Sequence, residues 1–323
     1  MFNLSEPITV SDEAHRAIVE RHGLPQSTTL QLMPATGIIN TVYALGEDLI
    51  LRVPRANPQY GAALLKEARV IPAARAAGVR TPALVALDDR LDLLPVPYAV
   101  YERVPGTALG LLVAEPGDTA LAWREVGRDL ALLHAGVDAD DLPLPTEPGS
   151  PGPDPCGLVE QRASEGWFTA MEARWLTEWL QRLAPASLTF HAHHPMRVLH
   201  ADTQPTNVMV DEQTLGYRAL IDWGDTRWGD VAGDFVGPPL RAVPFMLAGH
   251  RDVAPLDDDD TVEARILWRQ LRTTVALLPR GGAPNLSWGE RPLARLLEIM
   301  RFFLDVPDHR WAALAPPSTG AAQ

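Results

Sequence analysis

The chain has 323 residues, of which 46% are hydrophobic, which is enough for a folded protein with a sizeable core. Residues 1–103 carry 10 Lys or Arg and 11 Asp or Glu, whereas residues 104–323 carry 18 and 30. This acidic second part disfavours binding to nucleic acid, because the phosphate backbone would be repelled. It favours a cationic small molecule as a ligand, although acidic residues that only solubilise the surface would give the same composition.

The sequence shows no signal for export or membrane insertion. The first residues lack the basic start and apolar core of a signal peptide, and no apolar run approaches the roughly 20 residues of a membrane helix. The single cysteine, Cys156, excludes an internal disulfide and fits a reducing compartment. We therefore expect a cytoplasmic protein with no membrane contact.

The first part of the chain has the pattern of a small sheet with helices. The predicted elements, in chain order, are a helix capped by Ser11, three strands, a long helix and two strands: 12–22, 28–33, 38–45, 48–53, 59–77, 82–87 and 97–103. Pro105-Gly106 follows as a turn signal and is interpreted as a hinge. This predicts an N-terminal lobe of residues 1–104 and a C-terminal lobe of residues 105–323.

The second part is predicted to be mainly helical. Apolar periodicity indicates five helices: 117–135, 157–183, 231–249, 258–278 and 290–304. Three short apolar segments read as strands: 198–199, 208–210 and 219–221. Polar residues lie between these strands, so they would be held on rigid loops.

Those loops carry the residues that point to chemistry. Asp202 is followed five residues later by Asn207, and Asp222 comes fifteen residues after that. Oxygen ligands of this kind suit a hard divalent cation with a base beside it, which are the parts that phosphoryl transfer needs. Asp and Asn could instead serve only as turn formers in a polar hairpin. The full spacing, which begins at His200 and ends at Trp223, favours the site.

These residues resemble the aminoglycoside phosphotransferase family of small-molecule kinases, which are relatives of the protein kinases. That family carries His-Gly-Asp-x-x-x-x-Asn, then Ile-Asp-Trp or Ile-Asp-Phe, then Gly-Asp and a further Asp. The matching residues here are His200-Ala201-Asp202, Asn207, Ile221-Asp222-Trp223, Gly229-Asp230 and Asp234. The resemblance extends from about Met33 to Phe235. It implies an α+β, bilobal protein-kinase-like fold: a small N-terminal antiparallel-sheet lobe with one long helix, and a larger, mainly helical C-terminal lobe.

The resemblance also implies roles in the catalytic loop. Asp202 would be the catalytic base, Asn207 and Asp222 would bind Mg²⁺, and His200 would be structural. Asp230 would accept hydrogen bonds from backbone N–H groups of the loop, and Asp234 would begin a helix. Ala201 replaces the usual Gly, which matters only if the backbone there needs a positive φ.

A basic residue for the nucleotide phosphates is expected on the third strand. Leu49, Leu51 and Val53 alternate along one face, so Arg52 points to the other. The resemblance implies that such a residue reaches the phosphates and pairs with a helix carboxylate, for which Glu67 is the match. Arg52 takes the place of the lysine of protein kinases, because Lys66, the only lysine, is next to Glu67 on the helix. Arg55 is a weaker candidate, and an ordinary surface salt bridge is the alternative for Arg52 and Glu67.

Four further residues are assigned to the nucleotide by the resemblance alone. Gly37 and Asn40 would lie near the phosphates, and the backbone of Glu102 and Val104 would contact adenine. His134 is expected to be structural. His191, His193 and His194 form a loop cluster without regular spacing, so we do not predict a metal site there.

The sequence thus predicts an ATP- or GTP-dependent, Mg²⁺-dependent kinase acting on a hydroxyl of a small, cationic molecule. An aminoglycoside-type antibiotic is the first candidate, with a possible role in antibiotic resistance, and a metabolic amino alcohol or sugar is the second. A nucleotide-binding pseudokinase or scaffold is the alternative from another class. Three features favour it: Ala201, Arg52 and a turn between the first two strands that has Gly37 as its one glycine, where protein kinases have Gly-x-Gly-x-x-Gly. The combination of Asp202, Asn207 and Asp222 opposes it. A phosphatase or nuclease is disfavoured, because nothing else in the chain resembles a two-metal site.

Overall fold

The structure is a computed structural model that describes residues 5–34, 39–138, 142–147, 154–190, 195–281, 287–305 and 308–317. Its N-terminal part contains an antiparallel sheet of five strands, in the order β1-β2-β3-β5-β4. The strands are β1 (Leu30–Leu32), β2 (Asn40–Leu45), β3 (Leu49–Pro54), β4 (Leu84–Asp88) and β5 (Tyr98–Glu102). Each overlaps a predicted strand, so the expected sheet is confirmed.

Two helices cover the sheet, one on each side. They are α1 (Asp12–Arg21), whose first turn is capped by the Ser11 side chain, and α2 (Pro58–Ala76), capped by Asn57. Alternation along β5 explains how the sheet packs on both. Tyr98 and Val100 are buried in the cluster that contains Ile18 of α1, whereas Ala99 and Tyr101 are buried in the cluster that includes α2.

The same alternation fixes the direction of the central strand's polar residue. On β3, Leu51 and Val53 are fully buried in the cluster on the α1 side. Arg52 lies between them and therefore points to the α2 side. The predicted face of this strand is confirmed.

The rest of the chain is mainly helical. Its helices are α3 (Ala120–Gly136), α4 (Pro155–Ser164), α5 (Ala170–Phe190), α6 (Val243–Arg251), α7 (Val262–Leu277), α8 (Pro292–Leu304) and the short α9 (His309–Ala312). They pack around a large apolar cluster that includes Trp123, Trp179, Trp268 and Trp311. These four tryptophans are therefore core residues.

Two predicted helices were wrong in extent. The range 157–183 is divided between α4 and α5, because a new helix start intervenes, where the Thr169 N–H donates to the Glu172 carboxylate at 2.8 Å. The range 231–249 contains only a 3₁₀ helix over Val231–Phe235, another over Leu240–Ala242, and α6. Pro238 and Pro239 interrupt it, because proline has no N–H for a continuous helix.

Short strands position the loops between the helices. Strand β7 (Arg197–Leu199) pairs with β10 (Arg227–Gly229), and β8 (Val208–Val210) pairs with β6 (Thr107–Ala108) and β9 (Tyr217–Leu220). The strands expected around the polar loops are confirmed. Because these ladders are antiparallel and short, the loops at their ends are held close together.

The predicted hinge lies between β5 and β6. Gly106 has φ +114°, and a Cβ at this position would collide with the backbone carbonyl of Val210. Glycine is therefore required where the chain leaves the first sheet and pairs with β8. Among the described helices, none is both long and apolar enough to cross a membrane.

Candidate active site

The loop between β7 and β8 is shaped by two buried hydrogen bonds. Ala201 has φ +67°, a left-handed conformation that side chains disfavour. The N–H groups of His200 and Ala201 donate to the two carboxylate oxygens of Asp234, at 3.1 and 2.6 Å. The residue that replaces glycine therefore has a backbone for which glycine is better suited.

The expected roles of the two following aspartates are exchanged. Asp234, not Asp230, accepts the loop N–H bonds, and it also accepts from His134 Nε2 at 2.9 Å. Asp230 caps the 3₁₀ helix through Ala232 N at 3.0 Å. The exchange follows from the fold, because that short helix carries Asp234 one turn farther, under the loop. His134 is buried with this carboxylate, in the structural position expected of it.

Asp202 follows Ala201 in this loop, and one of its carboxylate oxygens accepts hydrogen bonds from side chains. Its Oδ2 accepts from Asn207 Nδ2 at 2.7 Å and from Gln204 Nε2 at 3.1 Å. Among the described residues, Oδ1 accepts no hydrogen bond. Burial, together with the nearby charges of Asp222 and Asp225, raises the pKa of Asp202 to about 7. A carboxylate with this pKa can accept a proton at neutral pH.

Asp222 is joined to the same loop by backbone contacts. Ile221 N donates to Asn207 O at 3.0 Å, and His200 Nε2 donates to Ile221 O at 3.1 Å. Asp222 itself has φ +69°. Burial opposes ionisation of this carboxyl, but the Arg52 guanidinium beside it holds the pKa of Asp222 below its usual range. His200 thus connects the loops that carry Asp202 and Asp222, which is the structural position expected of it.

Arg52 joins the first sheet to the Asp222 loop. Its Nη1 donates to both Glu67 carboxylate oxygens, at 2.6 and 2.8 Å, and its Nη2 donates to Asp222 Oδ1 at 2.9 Å. The side chains of Arg52 and Glu67 are only 13% and 3% exposed, so this is not an ordinary surface salt bridge. Arg55, on the other strand face, donates instead to Ser5 O at 3.2 Å.

The other residues expected at the nucleotide are less closely grouped. Asn40 lies at the start of β2, and its Oδ1 is buried without a hydrogen-bond partner among the described residues. Glu102 and Val104 do not line the two cavities described below. The Glu102 N–H donates to Ala83 O at 2.9 Å, so only its carbonyl is left for a ligand. Gly37 and the three loop histidines, 191, 193 and 194, lie outside the described residues.

Two cavities meet at Asp202. The small cavity lies between the first sheet and the loops, and its polar lining consists of Asn40, Arg52, Glu67, Asp202, Asp222 and Asp225. The large cavity, of about 280 Å³, lies on the other side and is lined only by residues from 147 onward. Asp202, a proton acceptor, thus lies between two cavities that are lined by different residues.

The large cavity contains polar residues that sequence reasoning missed. Gln204 and Arg295 line it together with Asp202, and the Gln204 Oε1 accepts from Gly289 N at 3.2 Å. Arg295 is on α8, far along the chain from the catalytic loop, and belongs to no motif. No local pattern in the sequence could have placed it beside Asp202.

A carboxylate, an amide oxygen and a nearby arginine fit a site for Mg²⁺ and phosphate. The Asn207 Nδ2 donates hydrogen bonds to Asp202, so its Oδ1 remains available as a metal ligand. Asp222 supplies a carboxylate. The described residues include no cluster of three or more His, Cys, Asp or Glu side chains suited to a metal. Two protein ligands are nevertheless sufficient for Mg²⁺ when phosphate oxygens and water complete its coordination.

Solved structures with a similar fold include nucleotide complexes of phosphotransferases. The GDP complex of wild-type aminoglycoside 2'-phosphotransferase-IIIa superposes with a TM-score of 0.60 at 17% identity, covering 90% of this chain and 99% of that chain. The spectinomycin phosphotransferase APH(9)-Ia, in complex with ADP and spectinomycin, gives 0.58 at 12% identity, with 92% and 95% covered. The GDP and kanamycin complex of APH(2")-IIia gives 0.56 at 18%, with 78% and 86% covered. These likenesses show the protein-kinase-like fold.

Sequence comparison identifies the family independently of the fold. A search of curated protein sequences gave no match. The family model for APH, the phosphotransferase enzyme family, matches residues 33–272, which is most of the chain. The catalytic loop, Asp222 and Arg52 all lie within the matched range. The chain is therefore a member of the APH phosphotransferase enzyme family, a family of small-molecule kinases.

Proposed function

We propose that this protein transfers the γ-phosphoryl group of ATP or GTP to a hydroxyl of a small molecule, with Mg²⁺ bound at the site. The observation that supports this most directly is the position of Asp202 between two cavities. The small cavity has the arginine and carboxylates suited to nucleotide phosphates. The large cavity has room for an acceptor whose hydroxyl reaches Asp202 from the other side.

On the nucleotide side, Arg52 would contact the phosphates, held in place by Glu67. Asn207 and Asp222 would hold Mg²⁺, which when bound neutralises charge on the transferring phosphoryl group. Asn40 and Gly37 would contribute near the phosphates, and the Glu102 carbonyl and Val104 backbone would contact adenine. The present Arg52–Asp222 contact of 2.9 Å would then be replaced in part by metal and phosphate.

On the acceptor side, Asp202 Oδ1 would accept the hydroxyl proton. The hydroxyl oxygen forms the new bond to the γ-phosphorus while the bond from that phosphorus to the bridging oxygen breaks. The nucleoside diphosphate leaves with the electron pair. Asn207 and Gln204, through their bonds to Oδ2, fix the orientation of the carboxylate for this transfer.

We also propose that the chain divides functionally at the hinge. Residues 1–104 would form the nucleotide-binding lobe, and residues 105–323 would form the catalytic and acceptor-binding lobe. This boundary is supported by Gly106, which lies against the Val210 carbonyl where the chain passes from one lobe to the other. A cytoplasmic location is proposed as well, supported by a single cysteine that needs no oxidising compartment.

Two classes of acceptor follow from different observations. The acidic second part of the chain and the aminoglycosides named with similar structures favour a cationic antibiotic, and with it a role in resistance. The lining of the large cavity, with four arginines, favours a different acceptor. The second class is argued below from the cavity itself.

The proposed function is tested with Asp202→Asn, which keeps the shape of the side chain and removes the base. We expect kcat to fall by roughly 10²–10⁴ with the acceptor found by a nucleotide-consumption screen. Mg²⁺-dependent thermal stabilisation by ATP or GTP should be nearly unchanged. Asp222→Ala is the matched variant, and it should abolish the Mg²⁺-dependent part of that stabilisation.

Each variant can contradict a separate part of the proposal. Turnover at the parent rate in Asp202→Asn would remove the base from the mechanism. An undiminished Mg²⁺ response in Asp222→Ala would remove the metal site. Nucleotide binding without turnover of any acceptor would support the pseudokinase instead.

A further inference from the structure

The charge inside the large cavity differs from the net charge of residues 104–323 as a whole. Four arginines line the cavity: Arg227, Arg269, Arg272 and Arg295. Three carboxylates line it as well: Glu147, Asp202 and Glu290. Although residues 104–323 contain 30 acidic residues against 18 basic ones, the acidic excess does not extend into this space.

Two of the three carboxylates are already engaged by neighbours. Glu147 Oε1 accepts from Arg269 Nη1 at 2.6 Å. Glu290 accepts from the Ser287 hydroxyl at 3.0 Å within a helix-capping arrangement, and lies 3.9 Å from Arg280. Asp202 is the remaining carboxylate, and it faces the reacting hydroxyl. A cationic acceptor would therefore find few free carboxylates in this cavity.

Arg295 is a buried cation without a carboxylate partner. It is only 4% exposed, and its Nη2 donates to Val236 O at 2.8 Å. Its Nε has no hydrogen-bond partner, and no described carboxylate forms an ion pair with it. Burial lowers the pKa of Arg295 to about 10, so the side chain still carries its charge at neutral pH. The charge of Asp202 offsets this burial only in part. A buried charge with no directly paired carboxylate is unfavourable, and an anionic ligand would satisfy it.

Arg227 lines the same cavity and is also weakly engaged. Its Nη1 has only a 3.4 Å contact to Asp225 O, and among the described residues no carboxylate forms an ion pair with it. It is half-buried, so part of the guanidinium can reach a ligand. Two arginines with spare donors in one cavity match the forked geometry of a carboxylate or phosphate.

The nucleotide is not the anion that these two arginines face. Arg227 and Arg295 line the large cavity but not the small one, whose own cation is Arg52. Asp202 lies at the junction, so an anion on the large-cavity side belongs to the molecule whose hydroxyl reaches Asp202. An anionic group bound by these arginines would therefore share the large cavity with the hydroxyl that faces Asp202.

We propose that the acceptor carries a carboxylate or phosphate group, which Arg295 binds with the help of Arg227 while the acceptor hydroxyl lies against Asp202. This rests on the proposed function and specifies its substrate class. A volume of about 280 Å³ is at the small end of ligand cavities and suits a hydroxy acid or a sugar phosphate.

Matched pairs of acceptors test the charge directly. The probes are gluconate and glucose 6-phosphate against glucose, glycerate and glycerol 3-phosphate against glycerol, and kanamycin as a cation. Nucleoside diphosphate formation is measured with Mg²⁺ and ATP or GTP, and the Kd of each probe is measured by thermal shift with a non-hydrolysable nucleotide bound. We expect at least one acid or phosphate to exceed its neutral counterpart roughly tenfold or more. Comparison of the carboxylate probes with the phosphate probes shows which of the two groups the cavity binds.

Substitutions of Arg295 test whether this residue binds the anionic group of the acceptor. Arg295→Gln should raise KM or Kd for the preferred anionic probe roughly tenfold to a hundredfold and leave the nucleotide KM unchanged. Arg295→Lys should restore part of the loss, because it keeps the charge without the fork. Arg301→Gln, an exposed arginine on the same helix α8, is the control and should change nothing. If Arg295→Gln does not fold, Arg227→Gln serves, with a smaller loss expected.

Several results would overturn the inference and leave the kinase intact. These are equal or better use of kanamycin or the neutral probes, no binding or turnover of any acid or phosphate, or an equal loss of nucleotide affinity in Arg295→Gln. Failure of the proposed function looks different. Either Mg²⁺ and nucleotide would not stabilise even the parent protein, or the parent would bind nucleotide and turn over no acceptor of any charge.

Discussion

Arg52 contacts both Glu67 of α2 and Asp222 of the loop that follows β9. Replacing it with alanine removes a charge-assisted contact to the nucleotide phosphates, worth about 1.5–3 kcal/mol. We expect nucleotide-dependent turnover to fall roughly tenfold to a hundredfold. Arg52→Lys should recover part of it, since lysine carries the charge but not the planar fork.

Arg55→Ala is the control for this prediction, because Arg55 lies on the opposite face of the strand and contacts Ser5 O. Steady-state kinetics are measured at a temperature at which every variant is folded by circular dichroism. A sensitive Arg55 with a silent Arg52 would contradict the assignment.

The left-handed backbone of Ala201 leads to a prediction on stability. This conformation costs an L-residue about 1–2 kcal/mol, whereas glycine adopts it freely. Glycine also gains freedom in the unfolded chain, which offsets about 0.4–1 kcal/mol. Ala201→Gly should therefore raise the free energy of unfolding by about 0.5–1 kcal/mol, as measured by urea denaturation.

Ala135→Gly gives the opposite sign as a control. Ala135 is an exposed residue near the end of α3, where glycine lowers helix stability by up to about 1 kcal/mol. A loss of stability in both variants would show that φ at Ala201 is not strained in solution.

Helices α3 and α6 cross with their backbones in close contact. A Cβ at Gly127 of α3 would collide with the backbone of Met246, and one at Gly249 of α6 with the backbone of Arg124. Alanine normally stabilises a helix interior relative to glycine by about 0.5–1 kcal/mol. At Gly127 we expect the reverse, a loss of about 1–3 kcal/mol, because packed backbones cannot give way.

Gly117→Ala is the matched control, since nothing lies within 4 Å of a Cβ there. It should be neutral in the same urea titration. A stabilised Gly127→Ala would mean that the two helices separate at little cost.

At the scale of elements, local pattern predicted each strand of the first sheet and the two helices that cover it. Those segments are short and their apolar alternation is regular. The same reasoning joined α4 to α5 and extended a helix through Pro238 and Pro239. The error has a physical cause: apolar periodicity continues across a break when both neighbouring segments pack on one core, so caps and prolines decide the boundaries.

Acid should destabilise the whole molecule through its buried histidines. Burial, together with nearby His134, lowers the pKa of His250 to about 3. A histidine in the unfolded chain has a pKa of about 6.5. Between these values the unfolded state binds the additional proton, so stability is complete above pH ~6.5 and falls as the pH falls toward ~3. From pH 7.5 to 5 this residue alone should remove roughly 2 kcal/mol.

The free energy of unfolding in urea at several pH values checks this prediction. His250→Gln should flatten the slope below pH ~6.5, whatever its effect at neutral pH. His309→Gln, at an exposed position on α9, should leave the slope as it is. An unchanged slope in His250→Gln would show that this histidine is already protonated in the folded protein.

Charge is distributed differently on the surface and inside the molecule. The sequence shows only that residues 104–323 are acidic, which predicted a cationic acceptor. The fold brings arginines from β10, α7 and α8 together beside Asp202. Net charge is a sum over all residues, whereas recognition depends on the few groups that line one cavity.

The sequence by itself determined the family, the sheet and the loops that carry Asp202, Asn207 and Asp222, because these are fixed by local spacing and alternation. Strand alternation also predicted the face to which Arg52 points, and the resemblance to the family predicted that Arg52 meets Glu67. Only the tertiary structure decided that Asp234, rather than Asp230, holds the catalytic loop, and that Arg295 lines the large cavity with Asp202. Such contacts join segments far apart in the chain, and no local periodicity encodes which side chains then become neighbours.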